Sequence, residues 1–188
     1  PNLFIAAPTN DNDSLQMLVS PYNHTAPSAV RYPPGEGAAV RIEPQLRGVE
    51  IGKGHVVREG SEIAILNFGV LLTEAEKAGE VLNATVADMR WVKPLDTDLI
   101  MQLAQTHSRF ITVEENVVAG GAGSGVAEYL ASQGLNIEIR HVAIDDRFID
   151  HASQGETRID AGLSCDDILE QANLGHAKPN GTKTAVAL

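Results

Sequence analysis

The chain has 188 residues, 43% of them hydrophobic and 21% charged, with a formal net charge of −11. Such a chain can bury one good core, or one core and part of another, and its acidic balance argues against a nucleic-acid or anionic-membrane surface, which needs clustered Lys and Arg. A lone cysteine, Cys165, leaves no internal disulfide and no zinc–cysteine site, and no apolar run approaches the roughly 20 residues of a membrane-spanning helix.

The chain opens at Pro1 without a basic leader and enters an apolar run, Leu3 to Ala7, at once. This reads as a piece of a longer protein. Pro8 ends the run. The following "TNDNDSLQMLV" predicts a helix capped by Thr9 or Asn10, with Leu15, Leu18 and Val19 as its apolar face. Turn residues then lead into a strand that ends at Arg31, stopped by Pro33 and Pro34.

From Pro33 to about Gly48 the pattern lapses into Pro, Gly and mixed charge, which predicts a linker. Beyond it, "GKGHVVREGSEIAILNFG" reads as a hairpin turning at Glu59-Gly60. A helix with Leu71, Ala75, Ala78 and Leu82 on one side follows, then a single strand "ATVADMRWV" halted at Lys93-Pro94. Asp96 opens the next helix, with Leu99, Ile100 and Leu103 inward. "RFITVEEN" is a strand, "GSGVAEYLASQG" a helix closed by Gly134, "NIEIRHVAI" a strand, and "SCDDILEQANLG" a helix capped by Ser164 and stopped by Gly175. Strands alternating with short helices predict an α/β fold: a mostly parallel sheet covered on both faces, with an antiparallel edge from the hairpin. Residues 176–188 carry no pattern and read as a loose tail.

Arg31 is the main chemical candidate. Ligands of open α/β sheets collect beyond the carboxyl ends of strands, and a guanidinium there suits two-point binding of a phosphate or carboxylate. Pairing with one of the chain's many acidic residues is the alternative use.

The glycines of "ENVVAGGAGSGVAEYL" stand between strand and helix, where an anion could sit. They match the dinucleotide fingerprint poorly, because Val126 replaces the last glycine, and close packing of helix on strand explains them better. Glu114 and Glu115 point to opposite faces of their strand; one is expected to bond the glycine loop's N–H groups and the other to be solvated. The histidines His24, His55, His107, His141, His151 and His176 lack metal-ligand spacing. Asp145-Asp146 and Asp150-His151 read as a solvated turn, and Cys165 at a helix start is not a nucleophile motif. No catalytic set and no metal site is legible.

Several stretches together resemble the C-terminal portion of the 1-deoxy-D-xylulose-5-phosphate synthases, thiamine-diphosphate enzymes of the transketolase superfamily: "PSAVRYPPGEG", "IGKGHVVREGSEIAILNFG", "DMRWVKPLD", "TVEENVVAGGAGSGV" and "DDRFIDHASQGETRIDAGLS". The resemblance implies that residues 1–37 end a pyrimidine-binding (transketolase central) α/β domain and that 38–48 are a linker. It implies that 49–175 form a transketolase C-terminal-like three-layer αβα domain. It implies an enzyme that condenses pyruvate with glyceraldehyde 3-phosphate to 1-deoxy-D-xylulose 5-phosphate and CO2, feeding isoprenoid, thiamine and pyridoxal synthesis. A homodimer in the bacterial cytoplasm or the plastid is implied as well.

Arg31 matches the family arginine that binds the acceptor's phosphate. Pro34 stands where the family commonly has Arg, which implies a weaker hold on that phosphate. The family's diphosphate–Mg2+ motif and its activating glutamate lie upstream, so thiamine diphosphate and Mg2+ are expected to be bound outside this chain, leaving it inactive alone. Two other assignments stay open: a non-catalytic dimerisation module, and the C-terminal part of a transketolase or a 2-oxoacid dehydrogenase E1 β subunit.

Overall fold

Alternation of branched apolar residues builds the main sheet. In a computed structural model that describes residues 2–24, 26–32 and 40–173, five strands line up in the order β3-β5-β4-β7-β8: β3 (His55–Arg58), β4 (Glu62–Phe68), β5 (Thr85–Asp88), β7 (His107–Val117) and β8 (Glu138–Ile144). β4, β5, β7 and β8 run parallel, and β3 pairs antiparallel with β5 at the edge. Because successive side chains of a strand face opposite ways, β4 sends Ala64, Leu66 and Phe68 to one core and Ile65 to the other.

The first core is closed by α3 (Thr97–Ala104) and α4 (Ala122–Ser132), through Leu99, Ile100, Leu103, Val126 and Leu130. The second is closed by α2 (Leu72–Leu82) and α6 (Cys165–Asn173), through Ala75, Ala78, Ile168 and Ala172. The result is the expected αβα sandwich. Its caps also follow the sequence: Asp96 accepts from the Leu99 amide at 3.1 Å, and Ser164 and Asp167 cap α6 reciprocally. The proposed stop at Gly175 and the tail at 176–188 lie outside the described residues, as do Pro33 and Pro34.

A second, smaller sheet has the order β2-β1-β6, with β1 (Phe4–Ala6) parallel to β2 (Ser28–Val30) and antiparallel to β6 (Trp91–Lys93). Helix α1 (Asp11–Tyr22), capped by Asn10, joins β1 to β2. Ala6, Met17 and Trp91 are its buried centre.

Three sequence expectations are corrected, and one helix is added. β3 and β4 do not form a hairpin, because β5 lies between them. The 59–61 connection instead crosses the start of β5, with Gly60 donating its amide to Thr85 Oγ1 at 3.0 Å. A Cβ on Gly60 would stand 2.2 Å from the carbonyl carbon of Ala84. Gly60→Ala therefore has to displace main chain, and a loss of about 1–3 kcal/mol in urea unfolding is expected.

The strand "ATVADMRWV" is two. The chain turns at Arg90, which holds φ 57°, leaving β5 in the large sheet and β6 in the small one. Helix α1 buries Asp13, Gln16, Met17 and Ser20, whereas Leu18 is half exposed. Its inward face is polar because it meets the main chain of the 43–49 segment. Gln16 Oε1 accepts from the amides of Arg47 and Gly48, and Ser20 Oγ exchanges hydrogen bonds with Val49. The expected linker is thus strapped to α1. Finally, a helix missed by periodicity, α5 (Gln154–Asp160), follows the exposed 145–153 loop.

Where the two sheets meet, Arg90 bridges Asp13 of α1 (3.1 Å) and Asp88 of β5 (3.7 Å). Burial, reinforced by the Asp13 charge and opposed by Arg90, pushes the Asp88 carboxyl from 3.8 up to about 7. The folded protein therefore binds this proton more tightly than the unfolded chain. The stabilisation is whole below about pH 4 and is lost as pH rises through about 7. Urea midpoints of the wild type should fall across that window relative to those of Asp88→Asn; parallel profiles would contradict the assignment.

Candidate functional site

Arg31 leaves the carboxyl end of β2, with its amide bonded to the Ala6 carbonyl at 2.9 Å. Its guanidinium reaches the main-chain carbonyl of Glu115, near the carboxyl end of β7. It lines a cleft of about 420 Å³ with Glu115, Ile144 at the end of β8, and the α5 residues Gln154, Thr157 and Arg158. The cleft therefore sits beyond the carboxyl ends of strands from both sheets, where ligand sites of α/β folds gather. Among the described residues Arg31 forms no ion pair with a carboxylate. Its partner is a neutral carbonyl, so its charge stays available to an anion.

Glu114 and Glu115 divide as alternation requires: one bonds the glycine loop as expected, and the other is not solvated. Glu114 is buried and accepts from the amides of Ala122 and Gly123, both at 2.8 Å, at the start of α4. Glu115 is not solvated. Its carboxylate accepts from Arg158 Nε at 2.9 Å, and its side chain is only 14% exposed.

Packing explains two glycines of the loop, Gly121 and Gly123, while Gly120 holds φ 77°. A Cβ on Gly121 would stand 2.6 Å from Glu114 Oε1, and one on Gly123 would stand 2.4 Å from Thr112 Oγ1. Glu114→Ala would strip two buried amides of their acceptor. A loss of about 1–3 kcal/mol is expected in urea unfolding; no change would mean that the α4 N-terminus does not need this carboxylate. Beside it, His141 Nδ1 lies 2.7 Å from Thr112 Oγ1, and burial lowers the imidazole's affinity for a proton against the pull of Glu114.

Of the other candidates, His107 is a core residue bonded to Thr85 Oγ1 and the Leu103 carbonyl. Cys165 is partly buried, and burial pushes its thiol up, away from the reactive thiolate. Among the described residues no group of three or more His, Cys, Asp or Glu side chains is placed to hold a metal ion. The first two α4 amides, those of Ala122 and Gly123, at the natural cradle for a diphosphate, are taken by Glu114. These residues do not build a diphosphate–magnesium site.

Arg158 escaped the sequence reading because α5 lacks a buried face to give it periodicity. A signal was present in the Ser153-x-x-Glu156 pattern. It forms a capping box, with Ser153 N donating to Glu156 Oε2 at 3.0 Å and Glu156 N donating to Ser153 Oγ at 3.4 Å.

An αβα sandwich of this topology, with a cleft at the carboxyl strand ends, defines the class. The chain matches the model of the transketolase C-terminal domain over residues 52–168, more than half its length, and belongs to that family. A chain of a split-gene transketolase solved as an inactive β4 tetramer superposes with a TM-score of 0.82 at 26% identity, covering 93% of this chain and 58% of that one. The transketolase of Leishmania mexicana shares the fold with a TM-score of 0.66 at 18% identity, covering 98% of this chain and 27% of that one.

More particularly, the chain is 47% identical over 173 residues to the 1-deoxy-D-xylulose-5-phosphate synthase of Vibrio campbellii, covering 92% of this chain and 28% of that protein. It is 49% identical over 164 residues to the synthase of the same name from Alkalilimnicola ehrlichii, covering 87% of this chain and 26% of that protein. The chain thus spans just over a quarter of the length of these relatives.

Proposed function

We propose that the chain is the C-terminal portion of a 1-deoxy-D-xylulose-5-phosphate synthase, a transferase that joins pyruvate to glyceraldehyde 3-phosphate with release of CO2. In this reading Arg31 binds the phosphate of the aldehyde acceptor. The observation that carries it is the Arg31 guanidinium, set at a strand's carboxyl end in an open cleft and paired with a carbonyl rather than a carboxylate. The identity to bacterial synthases across nine-tenths of the chain supports it.

The whole protein would work as a cytoplasmic homodimer. Residues 1–37 would close its pyrimidine-binding domain, 38–48 would link, and 49–175 would form its C-terminal domain. In this reading thiamine diphosphate and Mg2+ would be held by residues outside this chain, which is consistent with Glu114 occupying the Ala122 and Gly123 amides at the start of α4.

The part assigned to this chain is positional. A charge-assisted contact at the acceptor's far end fixes where its carbonyl lies, which lowers the entropic cost of bringing two substrates together. The test is an assay of the complete protein with pyruvate, glyceraldehyde 3-phosphate, thiamine diphosphate and Mg2+. Formation of 1-deoxy-D-xylulose 5-phosphate is expected, and its absence in folded, cofactor-loaded protein would refute the assignment. The chain by itself is expected to give no heat in a calorimetric titration with thiamine diphosphate, and micromolar binding would contradict that placement of the cofactor.

One observation favours a second reading, an association module without chemistry: the split-gene relative is an inactive β4 assembly. Sedimentation of residues 49–175 separates the two. A stable isolated dimer would favour association as this segment's main task.

A further inference from the structure

We propose that Asp88 is held as a neutral acid in the joint between the two sheets, and that its ionisation unlatches α1 and the small sheet from the αβα sandwich. The inference does not depend on what the cleft binds.

Arg90 ties the joint together. Its Nη2 reaches Asp13 Oδ1 on α1 at 3.1 Å, and its amide donates to Asp88 Oδ1 on β5 at 3.2 Å. Its carbonyl accepts from the Ala7 amide, just past β1, at 2.7 Å. Two buried carboxylates thus face one guanidinium, and they are not served alike. Asp13 is matched on both oxygens, by Arg90 and by the Thr9 amide at 3.2 Å. Asp88 Oδ2 has no cation nearer than Arg90 Nε at 3.7 Å, beyond hydrogen-bond reach.

Three buried side-chain atoms among the described residues lack a hydrogen-bond partner: Arg90 Nε, Trp91 Nε1 and Asn67 Oδ1. All three flank Asp88. Asn67 stands opposite it in the β4–β5 register, on the same face of the sheet. Its Nδ2 is spent on the Gly69 carbonyl at 2.7 Å, so its Oδ1 needs a donor. An ionised carboxylate only accepts, whereas a carboxyl group brings a proton to donate.

The surroundings supply no further positive charge. Glu76 of α2 adds a negative one, and His55 of β3, opposite Asp88 in register, is disfavoured as a cation by burial and by Arg90. With Asp13, Asp88 and Arg90 all ionised, the joint would bury a net negative charge, which is costly. Burial and the Asp13 charge, opposed by Arg90, accordingly push the Asp88 carboxyl up to about 7. The closed joint binds this proton more tightly than an opened one does. Closure is therefore firmest on the acid side and weakens as pH rises through about 7. Lifting α1 away returns both carboxylates to water, so a local opening relieves the strain without unfolding the sandwich.

The experiment is hydrogen exchange read by mass spectrometry on the complete protein and its Asp88→Asn variant, between about pH 6 and about pH 8.5, corrected for the intrinsic pH dependence of amide exchange. In the wild type, protection of peptides from α1 and β1 should fall by about tenfold or more across that range, while peptides from β4 and β7 keep theirs. Asp88→Asn is neutral at every pH, so its α1 protection should stay flat. If that variant fails to fold, the wild-type series still decides, because constant α1 protection would overturn the proposal. A fall shared equally by β4 and β7 would place the effect in global unfolding, and an equal fall in Asp88→Asn would trace it to another group. Either result overturns the latch.

Discussion

Replacing Arg31 by alanine in the complete protein is expected to raise the KM for glyceraldehyde 3-phosphate by about 10- to 150-fold, the equivalent of about 1.5–3 kcal/mol for a charge-assisted contact. The Michaelis constant for pyruvate, which carries no phosphate, should move far less. The effect follows from position. Arg31 is fixed by its own amide on Ala6 and by its guanidinium on the Glu115 carbonyl, and no carboxylate among the described residues neutralises it. A substrate phosphate would replace the carbonyl as the better acceptor, since an ionised partner roughly doubles the strength of the bond. An unchanged constant would take Arg31 out of the binding site.

Trp91→Ala should cost about 3–5 kcal/mol in urea unfolding, as large-to-small changes at fully buried aromatic positions do. Trp91 has no exposed surface and lies on β6, the strand that leaves the large sheet's connection to complete the small one. It packs with Met17 of α1 and Ala6 of β1, beside Val49 and Ile51 from the strapped segment. Its loss should therefore loosen the small sheet first, and with it the backbone that presents Arg31. The indole nitrogen has no hydrogen-bond partner among the described residues. Trp91→Phe, which removes that buried N–H and keeps an aromatic ring, though a smaller one, should accordingly cost less than alanine. Equal losses for the two would mean that ring packing is not what Trp91 contributes.

What could be read from the sequence divides along physical lines. The αβα sandwich was legible because the helix faces at Leu71, Ala75 and Ala78, and at Leu99, Ile100 and Leu103, repeat at the helical period and are buried. Glycine packing and the Glu114 contact followed from alternation and from the space a Cβ needs. Pairing partners were not legible. β3 and β4 look like a hairpin locally, and only the insertion of β5, a contact distant in sequence, separates them.

The polar face of α1 was hidden for a related reason. Gln16 and Ser20 are buried because a segment about thirty residues away supplies amides and carbonyls to them, and periodicity registers only apolar burial. At the site, Arg31 was visible as a charged residue at a strand end. Arg158 was not, because an exposed helix without an apolar stripe leaves no periodic trace, and its capping box was the one local mark of it.

The most direct measurement is a crystal structure of the complete protein with glycerol 3-phosphate, an unreactive stand-in for the aldehyde. The phosphate should lie in the cleft that Arg31 lines, within hydrogen-bond reach of its guanidinium. A phosphate bound elsewhere, with Arg31 still on the Glu115 carbonyl and the cleft filled only by water, would contradict the assignment.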